Sequence, residues 1–93
     1  MTTLPRTPFA TAASVEDIDA AIIGADALDG PTLALQRLLI CVVWERDAAW
    51  AANLAIEEGR IIDAGEFQLR YTALQMLRLA LTARLMAFTR SER

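Results

Sequence analysis

Two sets of paired carboxylates, Glu57-Glu58 and Asp17 with Asp19, are the groups in this chain whose spacing comes nearest to binding a cation or trading a proton. Either chemistry asks for more than a pair. A hard cation wants several converging oxygens, and acid–base catalysis wants two groups whose surroundings push their pKa values apart. Both pairs fall at expected helix ends, where their side chains face water. The chain has no histidine, which removes imidazole relays and imidazole metal ligands. Its one cysteine, Cys41, sits inside Leu-Ile-Cys-Val-Val and reads as core filler. The four glycines, Gly24, Gly30, Gly59 and Gly65, are scattered and form no phosphate-cradling loop. No nucleophile stands beside a base. The expectation is a protein that is not an enzyme, with no catalytic residue, cofactor or metal.

One charged residue is out of pattern. Glu45 falls within an apolar arc of a long helical segment, and antiparallel pairing about a turn near residue 61 sets it opposite Leu77 and Arg78. A Glu45–Arg78 ion pair would fix the register of two helices, or select the correct partner as polar core groups do in helical bundles. Trp44 and Trp50 belong to the residue type most enriched at binding hot spots. Arg70, Arg78, Arg84 and Arg90 recur along the last helix, but their angular spread is too wide for one phosphate-binding stripe.

These side chains have to be positioned by helices. Ser14 followed by Glu16 and Asp17 makes an N-cap with acids in the first turn, and a short helix is expected over about 15–23. Gly24 ends it, residues 25–30 form a loop, and Asp29-Gly30-Pro31 restarts the chain. Two long helices are expected over about 32–58 and 64–89. Gly59 closes the first. A capping box, Asp63-Ala64-Gly65-Glu66, opens the second, with Ile62 and Phe67 at the staple positions. So short a connection makes the helices antiparallel neighbours. Residues 1–13, with two prolines, read as a flexible arm without the apolar block of a secretory signal, leaving 14–93 as one domain.

Both long helices carry apolar residues on more than one face. In the first, Leu35, Leu38, Val42, Ala49, Ala52 and Ile56 form the stripe expected to meet the second helix. Another stripe, Leu33, Ile40, Trp44, Ala51 and Ala55, lies on the other side and is extended by Val43, Trp50 and Leu54. In the second long helix Phe67, Leu74, Leu77, Leu81, Leu85 and Phe88 form a bulky seam, with Leu69, Ala73, Met76, Ala80, Ala83 and Ala87 as a smaller-residue face. A hairpin cannot bury both faces of both helices, and surplus apolar surface implies a partner. The fold class is therefore all-α, an antiparallel hairpin of two long helices plus a short N-terminal helix, completed as a bundle by dimerisation or by a partner. Ile40, Trp44, Trp50, Leu54, Leu69 and Met76 are the expected partner-binding residues.

Composition narrows the partner. The chain of 93 residues is 55% hydrophobic and 23% charged, too apolar for disorder. Its longest strongly apolar run, Leu38 to Trp44, is far short of the roughly 18–20 residues of a membrane span. Net charge is −3, and it is split: residues 1–59 hold nine acids and three arginines, residues 60–93 three acids and six arginines. An acidic half folded on a basic half neutralises itself, so neither nucleic acid nor a membrane surface is the expected partner. All nine basic residues are arginine, which with the abundant alanine is what a GC-rich bacterial or phage genome would encode. The expected function is a cytoplasmic helical module that binds and modulates, sequesters or chaperones another protein, as small secretion chaperones and phage-encoded modulators do. The alternative is a small dimeric nucleic-acid-binding regulator that uses the C-terminal arginines.

Overall fold

The computed structural model describes residues 14–91, and all secondary structure among them is helical. The expected arm over residues 1–13 lies outside the described residues. Helix α1 spans Val15–Gly24. The Ser14 side chain caps it by accepting a hydrogen bond from the Asp17 backbone N–H at 3.0 Å. A single 3₁₀ turn, Ala25–Ala27, then tightens what was expected to be open loop, and it buries Ala25. Helix α2 spans Pro31–Glu57, with proline in its first turn and Gly30 extended before it. Helix α3 spans Ile61–Ser91.

The connection between the long helices is tighter than the sequence suggests. Gly59 has φ +77°, the left-handed conformation that a Cβ would strain. Around it the Arg60 N–H reaches the Ala55 carbonyl at 2.8 Å and the Gly59 N–H reaches the Ile56 carbonyl at 3.1 Å. These two bonds form a Schellman motif, which satisfies the last carbonyls of α2. The chain is then aimed straight into α3, which begins at Ile61 rather than Ala64. The expected capping box does not form. Asp63 is already inside the first turn of α3, and its carboxylate accepts from Arg60 Nη1 at 2.8 Å. The same guanidinium holds Glu58 at 2.9 Å, so Arg60 ties both ends of the turn together. The Ile62–Phe67 staple is also absent, since Ile62 projects into solvent.

The seam between α2 and α3 differs from expectation in an instructive way. On α2 the buried apolar residues are Ala34, Cys41, Ala48 and Ala55, one every seven residues, together with Ala52. Every side chain on that line is small. Opposite them α3 buries Leu74, Leu77 and Leu81, with Phe67, Leu85 and Phe88 half-buried, so the bulky seam of α3 is where the sequence put it. Small residues on one helix let the other approach closely, and here the Cys41 thiol donates to the Leu74 backbone carbonyl at 3.2 Å. The stripe expected to form this seam is not buried. Leu35, Val42 and Ile56 are 45%, 46% and 57% exposed, Leu38 and Ala49 are half-buried, and only Ala52 is enclosed. The helix is turned by one residue, about 100°, from its expected orientation.

Helix α1 lies along α3, where Ile18 is buried and Ile22 and Ala21 pack against the core. Arg84 of α3 donates from Nε at 3.1 Å and from Nη2 at 2.7 Å to the Leu28 carbonyl, which pins the segment leaving α1 to the hairpin. None of the helices is long and apolar enough to cross a membrane.

Candidate protein-docking face

The two flat sides of the hairpin have different fates. On one side α1 and its 3₁₀ turn cover the seam. A cleft of about 550 Å³ remains there, walled by Ala21, Ile40 and Trp44 and floored by Cys41, Leu77 and Leu81. Among the described residues no helix lies over the other side. Helical spacing puts Leu35, Val42, Ala49 and Ile56 on that side, one residue round from the buried alanine line. From α3 come Ile61, Leu79 and Met86, which are 69%, 56% and 50% exposed. These are large apolar side chains held on two rigid helices whose facing surfaces are already packed, so no rearrangement within the hairpin hides them.

Glu45 and Arg78 stand in the middle of this open face. Arg78 Nε donates to Glu45 Oε1 at 2.9 Å, with the Glu45 side chain 13% exposed and Arg78 39% exposed. The two residues meet across the helices as the antiparallel register requires. The hydrogen bond Arg78 donates to Glu45, reinforced by the carboxylate's charge, holds the Arg78 guanidinium above its ordinary pKa. One floor below, burial pushes the Cys41 thiol up to about 11, with the Glu45 charge adding to the shift and Arg78 opposing it. A thiol in that state is protonated near neutrality and is a poor nucleophile.

The residues expected from the sequence to bind a partner are distributed differently. Ile40 and Trp44 wall the cleft under α1, and Trp44 packs half-buried against the core. Leu69 flanks the start of α1 beside Val15 and Glu16. Leu54 is half-buried, while Trp50 and Met76 are exposed on the outer flanks of their helices. The six do not converge on one surface: they are spread between the cleft under α1 and the outer flanks of the two long helices. The open face was missed because its α2 residues were assigned to the seam. The signal that would have found it is side-chain size: the run Ala34, Cys41, Ala48, Ala55 marks the line of closest approach, and the bulky stripe next to it is what remains outside.

Three of the four arginines of α3 have contacts within the fold. Arg78 holds Glu45, Arg84 holds the Leu28 carbonyl and lies 4.4 Å from the Phe88 ring centroid, and Arg70 lies 5.7 Å from that of Phe67. Their partners point in different directions, so they do not line one phosphate path. Of the paired carboxylates, Glu58 is engaged by Arg60. Asp47 is buried, with Oδ2 lacking a hydrogen bond and Oδ1 3.9 Å from Arg46. Among the described residues no three potential ligands gather to hold a metal ion. No protein-family model, curated protein or solved structure matches the chain.

Proposed function

We propose that this protein is a non-enzymatic helical interaction module that binds another protein chain through the open face of its hairpin. One observation carries the reading: Leu35, Val42, Ile56, Leu79 and Met86 are at least two-fifths exposed on a single rigid face, the kind of contiguous apolar patch that marks a protein-interaction site. The job that suits such a face is to sequester, chaperone or modulate a partner, in a reducing compartment such as the cytoplasm where Cys41 stays a thiol. The engagement of Arg78 and Arg84 within the fold favours protein over nucleic acid as that partner.

A photo-crosslinking side chain at Val42, introduced in the native cell, tests the module reading. A discrete adduct that disappears when the crosslinker is moved to exposed Gln36 is the expected result. Absence of any protein adduct at Val42, with the protein present at its natural level, would sink it.

A further inference from the structure

We infer that the open face is occupied by a second copy of this chain, related by a two-fold axis running parallel to the hairpin, so that each Arg78 meets the other copy's Glu45. This rests on the module reading above and names its partner.

Charge selects the arrangement. Two copies stacked face to face can share a two-fold axis that lies in the contact plane, either along the helices or across them. The crosswise axis lays α2 on α2 and α3 on α3. Because Glu45 and Arg78 are both near mid-helix, it sets carboxylate against carboxylate and guanidinium against guanidinium. Like charges so placed oppose association. The lengthwise axis lays α2 of one copy on α3 of the other. Arg78 then sits over the second copy's Glu45, and the four groups alternate in sign around a square. Arg78 gives only Nε to its own Glu45, which leaves its two terminal nitrogens for a second carboxylate, the forked geometry in which arginine binds best.

The apolar residues follow the same axis. On α2 they recur every seven positions as Leu35, Val42, Ala49 and Ile56, and on α3 Leu79 and Met86 are also seven apart. In the antiparallel register that joins Glu45 to Arg78, Leu35 is level with Phe88 and Val42 with Leu81, so Met86 and Leu79 lie two residues, about 3 Å, from those levels. The lengthwise axis preserves level, so Leu35 comes near the second copy's Met86 and Val42 near its Leu79, both at the same end of the hairpin relative to the charge square. All four helices become antiparallel to their neighbours, the arrangement of a simple four-helix bundle. The exposed apolar area on this face is on the order of 600 Å² per copy, and with its polar surround it approaches the roughly 800 Å² each partner gives to a standard interface.

The test is a charge swap read by sedimentation equilibrium from micromolar to near-millimolar concentration, with helix content followed by circular dichroism. The wild type is expected to dimerise. Glu45→Arg alone and Arg78→Glu alone should each weaken self-association by at least about a hundredfold, because each then stacks like charges in a partly buried site. Mixing the two variants in equal amounts should restore a dimer, since both crossed pairs regain opposite signs only in the mixed species. Val42→Arg, at a position open in the single chain, should abolish the dimer while helix content holds, which covers the case of a charge variant that folds poorly. A wild type that stays monomeric throughout, single charge variants that dimerise as well as wild type, or a mixture no heavier than its components would each overturn the inference. A monomer that still gives a heterologous adduct at Val42 would overturn only the second copy and leave the module reading in place; no dimer and no adduct would end both.

Discussion

Two lines of residues run side by side down α2 and differ by one position in the chain. Ala34, Cys41, Ala48 and Ala55 are buried, whereas Leu35, Val42, Ala49 and Ile56 are half-buried or exposed. Ranked by hydrophobicity, the second line should be the core. The first wins because the facing helix brings Leu74, Leu77 and Leu81 to the contact, and large side chains need small ones opposite if the backbones are to close up. A close seam lets each of those leucines touch atoms on all sides, which is where dispersion and desolvation gains accumulate. Complementarity of size decides the orientation, and the bulkier stripe is left outside the seam.

The largest effect expected from breaking this comparison is Leu74→Ala, which empties the centre of the seam and should destabilise the fold by about 2–5 kcal/mol in a denaturant titration. Ala48→Leu attacks the same contact from the other helix. It overfills a position with no exposure and should cost about 1–3 kcal/mol; an unchanged midpoint would mean that the helices are not in close approach there. The neighbouring line should behave oppositely. Ile56→Gln or Leu35→Gln, measured at high dilution, should change stability by no more than about 0.5 kcal/mol, and a multi-kcal loss would return that stripe to the intramolecular core.

Cys41 offers a comparison within the seam by pH. Its thiol is raised from the ordinary value of 9.0 to about 11, so the folded state favours the protonated form. That contribution is complete below about pH 9 and is lost as pH rises towards 11. Alkaline unfolding should therefore steepen across that window in the wild type and less so in Cys41→Ala, by roughly 1–3 kcal/mol. Alkylation of the native thiol near pH 8 should be slow until denaturant is added. A modest effect is expected at the other end of the molecule. Ser14→Ala removes the cap of α1 and should cost about 1 kcal/mol, with fraying confined to the first turn.

What could be read from the sequence was local or strictly periodic. The Ser14 cap, the left-handed Gly59 and the three helical segments each follow from a few adjacent residues, and the meeting of Glu45 with Arg78 follows once the turn is located. What escaped depended on two partners at once. The start of α3 was placed late because the Asp63 and Glu66 pattern matched a capping box, while Arg60 captures Asp63 and the Schellman bonds deliver the chain directly into helix. The orientation of α2 was set one residue off because apolar periodicity locates a stripe but is blind to which of two adjacent stripes fits the residues across from it. The same shift leaves Leu35, Val42 and Ile56 outside the seam and places Trp44 at the cleft beneath α1.

The seven-residue spacing of the alanine line has a geometric consequence for the whole molecule. A straight α-helix repeats every 3.6 residues, so positions seven apart drift by about 20° per step. Over the three steps from Ala34 to Ala55 the accumulated drift is about 60°, yet all four residues stay enclosed. The helices must therefore wind around each other with a left-handed sense. The face outside the seam is consequently not a plane but a shallow propeller blade. A flat surface, such as a lipid bilayer or an untwisted sheet, would touch it at one end and lift away at the other, whereas another left-handed pair of helices follows it along its length.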